Sequence, residues 1–570
     1  MLGWLRHYPL EYLPGDMVAG LTVATMLIPQ SMAYALLAGL PPEIGLYASI
    51  LPVMVYGLLG SSRVLTFGPT AVTSVLVFGI LGTLERPGTE AYYSLALTLA
   101  LLLGLVMMVM GLLRLGFIAN LLSQPVLVGY INAAALIIVI SQLPNLFGVH
   151  VPRNSNTIYV LWDFISRLYT VNILTMFVST LCLLILVGIR FRLPYILRRL
   201  AIRDIWKVTL PRSGPLVVVI TGIIAVYVSG LDAHIAIVGR IPHGLPRPTF
   251  SDFDFSHLDS LLVGAVAIAF VGFMEAMSTA KSIQSPQEKP IIPNQELLAM
   301  GIANLASAFS GGMPGTTSIS RSAVNNAAGV NSGLSSIIAA LIVFFVVLFL
   351  TPVFYYLPNA ALASIISLSV INLLDWQSVR ELWRYNRFET LPLIVTFLVV
   401  FMVRIDIGIL AGILTNIGVF FWESARPKVV ELERGIEYDN RYWDPMRHRT
   451  VHIPGVLIVR VDASLTFANI GYFELRLRRL ISRHPATDYL ILDGSAVNRI
   501  DASALLELGG LVDEFEAAGI HVMWSEMKPQ VIDQLGYVGF LQTVGQDRFY
   551  PTVHDAVIAT GRLVDDELPI

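Results

Sequence analysis

Thr316-Thr317-Ser318-Ile319-Ser320-Arg321-Ser322 is a run of hydroxyl residues and one arginine, set in sequence otherwise apolar enough for a bilayer. Phe67-Gly68-Pro69-Thr70 is a second break of the same kind, earlier in the chain. Lipid tolerates non-helical backbone only where protein or a water-filled cavity covers it. Two such breaks at corresponding points of two halves mark the central binding site of a transporter.

Composition supports a membrane setting. Of 570 residues, 55% are hydrophobic and 14% charged, against roughly 25% charged in a soluble domain. Mean hydropathy is +0.70. A net charge of −3 argues against a nucleic-acid-binding surface. Cys182 is the only cysteine, which excludes an internal disulfide and a cysteine-rich metal site. There is no His-Glu-x-x-His and no Gly-x-x-x-x-Gly-Lys loop, so neither zinc-enzyme nor ATP-driven chemistry is expected, and no cofactor. Asp493 and Asp501 suggest a carboxylate pair, but no nucleophile or base accompanies them. The chain does not read as an enzyme.

Long apolar runs alternate with short turns up to Glu423, and soluble composition follows. The reading is a membrane part over 1–425, a linker over 426–449 and a soluble part over 450–570. Spans are expected near 16–38, 44–60, 70–84, 91–113, 122–142, 170–189, 214–230, 258–281, 294–310, 319–329, 333–351, 357–373, 390–404 and 406–422. Spans 70–84 and 319–329 are too short to cross alone. An even count puts both termini on one side. Arg190, Arg192, Arg198, Arg199, Arg203, Lys207 and Arg212 after the sixth span, and Arg380, Arg384 and Arg387 after the twelfth, make that side cytoplasmic. Repeats of about 16–230 and 258–425 each hold seven spans, so the second is inverted relative to the first. In each, the third span is the interrupted one. In the tail, Val456–Val459, Tyr489–Leu492 and His521–Trp524 read as buried strands, and Phe473–Ser482, Ala502–Ala518 and Gln530–Leu535 as helices. Together they give a small α/β domain with a largely parallel sheet.

A helix start carries about half a positive charge and unpaired N–H groups. If Thr70 and Ser320 open two helices that face each other at mid-membrane, the gap attracts an anion. Ser318, Ser320, Ser322 and Thr70 add hydroxyl donors, and Arg321 a full charge. Gln30 follows Pro29 in mid-span, where its amide can donate to an oxyanion, and Tyr34 sits one turn on. The alternatives are surface turns at the two breaks and helix–helix bonding for Gln30.

Glu275 lies within Ala267-Ile268-Ala269-Phe270-Val271-Gly272-Phe273-Met274-Glu275-Ala276-Met277. A carboxylate at that depth costs at least about 2.5–3.5 kcal/mol, and coupling to a cation is the usual reason to keep one. At roughly 6 Å from a bound monoanion, with an effective dielectric near 20, repulsion is about 2.8 kcal/mol. Neutralising Glu275 with a proton or sodium would therefore improve anion affinity about a hundredfold. Thr279, one turn on, is a candidate sodium ligand. The alternative is a structural ion pair, with Arg321 as the partner.

Pro42-Glu43-Ile44-Gly45-Leu46-Tyr47-Ala48-Ser49, with Tyr56 and Gly60-Ser61-Ser62-Arg63, resembles the signature of the SulP sulfate-permease family of anion transporters. Pro29-Gln30-Ser31-Met32-Ala33-Tyr34-Ala35, Ser318-Ile319-Ser320-Arg321-Ser322 and Asn294-Gln295-Glu296-Leu297 resemble it too. Leu492-Asp493-Gly494-Ser495 and Ile500-Asp501-Ala502-Ser503 resemble a STAS domain. The resemblance implies fourteen helices in a seven-plus-seven inverted repeat, a core domain moving against a gate domain like an elevator, and a homodimer. It also implies an anion site near Gln30 and Ser320. A carboxylate at Glu275 resembles the coupled symporters, and Glu275 with Thr279 resembles the sodium-coupled bicarbonate branch, so proton and sodium both stay open. Asp501-Ala502-Ser503-Ala504 departs from the Asp-Ser-Ser-Gly of phosphorylated STAS domains, which leaves Ser503 as the regulatory candidate. The expected function is symport of a small oxyanion such as sulfate with protons, in a bacterial inner membrane, with the STAS domain cytoplasmic and open to a protein partner. Sodium-coupled bicarbonate symport, proton-coupled dicarboxylate symport and uncoupled exchange or channel activity are the alternatives.

Overall fold

The computed structural model describes residues 4, 8–120, 123–152, 157–199, 210–241, 244, 252–283, 290–371, 374–436 and 440–562. Arg203 and Lys207 of the basic loop lie outside the described residues, as do the side chains of Arg198 and Arg212. The chain divides into two compact units, Met1–Asn416 and Ile417–Ile570.

The spans, in order, are Leu13–Leu37, a second in two pieces (Pro42–Tyr47 and Leu51–Leu59), Ala71–Leu81, Glu90–Leu112, Gln124–Phe147, Ile173–Val187 and Gly214–Ser229. The second half follows with Leu258–Ile283, Pro293–Phe309, Ile319–Ala327, Leu334–Phe349, Asn359–Ile371, Leu391–Met402 and Ile405–Ser424. All fourteen expected segments are helical. Among the helices that were not expected are Thr157–Ser166 and Trp376–Tyr385. They are short, carry exposed aromatics (Tyr159 and Trp162; Trp376 and Trp383), and sit among polar residues. Their amphipathic character suits a membrane surface rather than its interior.

Packing sorts the spans into two groups. The ninth lies along the fourth and second, the eighth along the fourth and third, and the eleventh along the first and second. The fifth packs on the twelfth and thirteenth, and the sixth and seventh pack on the twelfth. Spans one to four and eight to eleven thus form the core group, and five to seven and twelve to fourteen the gate group. The first span touches the seventh and twelfth across the boundary, and the third touches the fifth.

Close approach within the core depends on small residues, as helix packing in lipid requires. A Cβ at Gly333 would lie 1.9 Å from the Gly57 carbonyl oxygen, and one at Gly57 2.8 Å from that of Gly333. The second and eleventh spans therefore meet backbone to backbone.

The second unit carries a mixed sheet in the order β4-β3-β6-β7-β8-β9, with β5 also on β3. Here β3 is Val429–Gly435, β4 Tyr442–Trp443, β5 Thr450–Val451, β6 Val456–Val461, β7 Tyr489–Asp493, β8 His521–Ser525 and β9 Phe549–Tyr550. Strands β6 to β9 are parallel, and β3 is antiparallel to β6. Leu457, Val459, Leu490, Leu492, Val522 and Trp524 face helices Ile470–Arg483 and Ala502–Ala517, while Ile458, Ile491 and Met523 face helix Val553–Ala559. The stretch 426–449, read from sequence as a linker, contains β3 and β4 and is built into this sheet.

We predict that Gly333→Ala lowers the thermal unfolding midpoint of the detergent-solubilised protein, for an overpacking cost of about 1–3 kcal/mol. Gly418→Ala is the control, because its Cβ would meet nothing within 4 Å. Equal midpoints for the two variants would show that the second and eleventh spans are free to separate.

Candidate anion-binding site

The third and tenth spans have 11 and 9 residues. At about 1.5 Å per residue they are roughly 16 and 14 Å long, so only together do they match a bilayer core of about 30 Å. They start head to head. Phe67–Gly68 (β1) and Thr316–Thr317 (β2) pair as an antiparallel ladder, with Phe67 opposite Thr317 and Gly68 opposite Thr316. Each strand leads directly into its helix, and the two helices run in opposite directions from the ladder. Thr70 caps the third span by accepting from the Thr73 amide, and Ser318 caps the tenth by accepting from the Arg321 amide. The second helix thus begins at Ile319, capped by Ser318 and not by Ser320 as the sequence suggested.

Side chains tie the crossing together. The Thr316 hydroxyl meets those of Thr70 at 3.2 Å and Thr73 at 2.8 Å. The Ser318 amide donates to the Thr66 carbonyl at 3.0 Å, and the Thr66 amide to the Ser322 hydroxyl at 3.0 Å. Asn304 clasps Gly315 from the ninth span, accepting from its N–H at 2.9 Å and donating to its C=O at 3.0 Å. Gly68 has φ +141°, and a Cβ there would lie 3.3 Å from an Arg321 guanidinium nitrogen. Glycine lets the strand turn beside that charge.

Arg321 is fully buried and reaches back across the ladder. Its Nη1 donates to the Pro69 carbonyl at 2.9 Å and to Gln30 Oε1 at 3.5 Å. Its Nε and Nη2 have no partner. With Oε1 committed to Arg321, Gln30 keeps its Nε2 as a donor.

A cavity of about 490 Å³ opens in front of the two helix starts, between the core and gate groups. Gln30, Tyr34, Thr70, Glu275, Ser318 and Ser320 all line it, as do Ala71, Val72 and Ile319. The first-turn amides of Ala71, Val72, Ile319 and Ser320 have no acceptor within their own helices. Ser320 is exposed into the space, while Thr70 and Ser318 are nearly closed off. Arg321 supports the wall from behind. Thr279 does not line the cavity, because its hydroxyl donates to the Glu275 carbonyl at 2.6 Å. Glu275 is 6% exposed, and its Oε2 has no hydrogen-bond partner. It makes no direct ion pair with Arg321, although the two charges interact through space. Sequence reading missed three contributors: Asn304, which holds Gly315, Ser369 on the twelfth span beside Tyr34, and Arg190, which it placed in the basic loop and not in the cavity lining. A lone asparagine in an apolar helix is a usable signal; Ser369 carries none.

In the second unit, Asp493 and Asp501 do not form a pair. Asp493 accepts from the Ser495 amide, and Asp501 caps helix Ala502–Ala517. Hydrogen bonds from the Ala504 and Phe467 amides hold the Asp501 carboxyl below the usual range. Ser503 is exposed in the first turn of that helix.

The profile of the sulfate permease family matches residues 13–396, and that of the STAS domain matches 448–556. The chain is 33% identical over 566 residues to the chloroplastic sulfate transporter 4.1 of Arabidopsis thaliana, covering 97% of this chain and 81% of that one. It is 33% identical over 562 residues to a probable sulfate transporter of Mycobacterium tuberculosis, covering 98% and 97%. The structure of the murine Solute Carrier 26 family member A9 anion transporter in the inward-facing state superposes with a TM-score of 0.87 at 26% identity, covering 98% and 93%. The transmembrane domain of a cyanobacterium bicarbonate transporter shares the fold, with a TM-score of 0.58 at 21% identity over 72% and 98%. This chain belongs to the sulfate permease family. It is an integral, multi-pass anion-transport protein carrying a STAS domain, and not an enzyme.

Asn304→Leu is predicted to leave both backbone groups of Gly315 buried and unpaired, at about 1–3 kcal/mol each. Thermal unfolding in detergent should show a large loss of stability. An unchanged midpoint would mean that the clasp contributes nothing to holding the ladder.

Proposed function

We propose that this protein is a secondary active symporter that carries a small oxyanion, sulfate in first place, together with protons. The supporting observation is the pair of helix starts, capped by Thr70 and Ser318, that face one cavity with the unpartnered guanidinium edge of Arg321 behind them. Removing a charge from water without pairing costs several kcal/mol, and an anion at the helix starts offsets that cost. Gln30 Nε2, Ser320 and the free first-turn amides supply the hydrogen bonds an oxyanion needs, and Tyr34 bounds the site. The names of the relatives favour sulfate.

Glu275 is assigned the coupling role. Its Oε2 lacks a partner, so a proton there restores what burial removed and reduces repulsion of the anion. Thr279, bonded back to its own helix, leaves little support for a sodium site with Glu275. The cavity lies between the core and gate groups, which suits an elevator motion of one group against the other. Its lining extends to Arg190, at the basic loop that charge bias assigns to the cytoplasm. On that assignment this conformation faces inward, and both termini and the STAS domain are cytoplasmic in a bacterial inner membrane. A homodimer, and a protein partner at the STAS domain with Ser503 as its switch, complete the proposal.

The deciding experiment is uptake of radiolabelled sulfate, bicarbonate and fumarate into proteoliposomes, with pH and sodium gradients imposed separately. Sulfate accumulation driven by the pH gradient alone is expected. Accumulation that requires sodium would overturn the proton assignment. We further predict that Glu275→Gln abolishes gradient-driven accumulation while sparing sulfate exchange; full accumulation by that variant would remove Glu275 from coupling. Ser320→Trp should fill the cavity and abolish sulfate binding by calorimetry, and unchanged affinity would place the site elsewhere.

A further inference from the structure

The sheet edge of the second unit brings two histidines and a glutamate together. Alternation along β3 puts Val430 and Leu432 on the face of helix Val553–Ala559, and therefore Glu431 and Glu433 on the opposite face. That opposite face packs helix Ile470–Arg483, whose C-cap residue is His484. His452 follows β5, the strand paired with β3. Three segments far apart in sequence thus deliver Glu431, His452 and His484 to one place, with their ligand atoms all within 4.8 Å of one another.

We propose that Glu431, His452 and His484 form a binding site for a divalent transition metal ion of the zinc class. The donor set is imidazole, imidazole and carboxylate, the mixed nitrogen and oxygen set that zinc takes, with a fourth position left for water. His484 Nε2 lies 2.9 Å from Glu431 Oε1. Bonds of about 2.0 Å at a tetrahedral angle place two ligand atoms roughly 3.3 Å apart, so this pair needs only a slight opening. The His484 backbone is held by bonds from its amide to the Leu480 and Ile481 carbonyls and by the Thr487 amide and hydroxyl donating to its own carbonyl. Its ring is therefore delivered by a fixed main chain.

The ring of His452 stacks on that of His484, 5.2 Å between centres and 21° between planes. His452 is the most exposed of the three and closes the set by side-chain rotation. Glu433 stands behind it, 3.6 Å from His452 Nδ1, and is itself fixed by a 2.5 Å bond from the Thr450 hydroxyl. A carboxylate behind a ligating imidazole orients the ring and raises its basicity. The bound ion would pin the β3–β5 edge to the end of helix Ile470–Arg483.

The test is Zn²⁺ titration by calorimetry of the full-length protein in detergent, after treatment with a chelator. One saturable site per chain is expected. His452→Ala and His484→Ala should each weaken it about tenfold or more, since even partners behind a ligand cost 10–100-fold. His521→Ala is the control, because His521 pairs with Glu516 away from this cluster. Glu431→Gln keeps the strand and removes the anionic ligand, which guards against a folding defect in the histidine variants. Co²⁺ in place of Zn²⁺ should give the visible bands of a four-coordinate site, lost in Glu431→Gln. Absence of a saturable site, or an affinity in Glu431→Gln and His452→Ala unchanged from that of the unsubstituted protein, would overturn the proposal.

Discussion

A hydrocarbon interior offers no hydrogen-bond partner to a peptide group, and this chain breaks two helices in the middle of one. The two-residue ladder between Phe67–Gly68 and Thr316–Thr317 resolves that conflict. Each break supplies the other's backbone partners, so neither half-helix is viable alone. Much of the surrounding core serves the same end. Asn304 satisfies Gly315, Ser322 accepts from Thr66, Arg321 donates to Pro69, and Gly68 takes a backbone conformation that other residues resist. The free amides that remain are those of the two helix starts, and they open on the cavity.

The buried carboxylates of the core divide by the same accounting. Asp16 accepts from the Asn331 and Ser332 amides, the Ser332 hydroxyl and Tyr8. Glu296 accepts from Tyr56 and from the amides of Ser61 and Ser62, with the Ser61 hydroxyl as well. Both connect distant parts of the core and are fully satisfied, which makes them structural. Glu275 has no such set of donors. All three are carboxylates in apolar surroundings, yet only Glu275 is left with an oxygen lacking a partner, and it alone faces the cavity.

Fourteen spans, the two short ones and the α/β tail were legible because each rests on a local property: apolar run length, a polar interruption, a buried strand. The cavity residues Gln30, Tyr34, Thr70, Glu275, Ser318 and Ser320 were legible for a similar reason, since polar groups at bilayer depth stand out. What was not legible depends on partners. The sequence opens the tenth helix at Ser320, but the ladder ends at Thr317 and the cap is Ser318. Val429–Gly435 reads as a charged linker because glutamates and an arginine interleave its apolar residues, and only pairing with β6 makes it a strand. Trp376–Tyr385 is too polar to register as a span. Thr279 had the right spacing from Glu275, but its hydroxyl is consumed by its own helix.

Arg321 and Glu275 have opposite charges and line or support the same cavity, yet they do not pair. A direct ion pair would neutralise both and leave little for a ligand to gain. Kept apart, each is left short of partners by burial, and two further species, an anion and a proton, can relieve them. An anion in front of the helix starts compensates Arg321 but worsens the position of an ionised Glu275. A proton on Glu275 removes that penalty, so on the proposed mechanism the two ligands bind best together. At an effective dielectric near 20 a charge pair roughly 6 Å apart is worth about 2.8 kcal/mol, which is enough to favour the doubly loaded cavity about a hundredfold over the singly loaded one. On that mechanism coupling requires no conformational signal between the two sites, only the cavity they share.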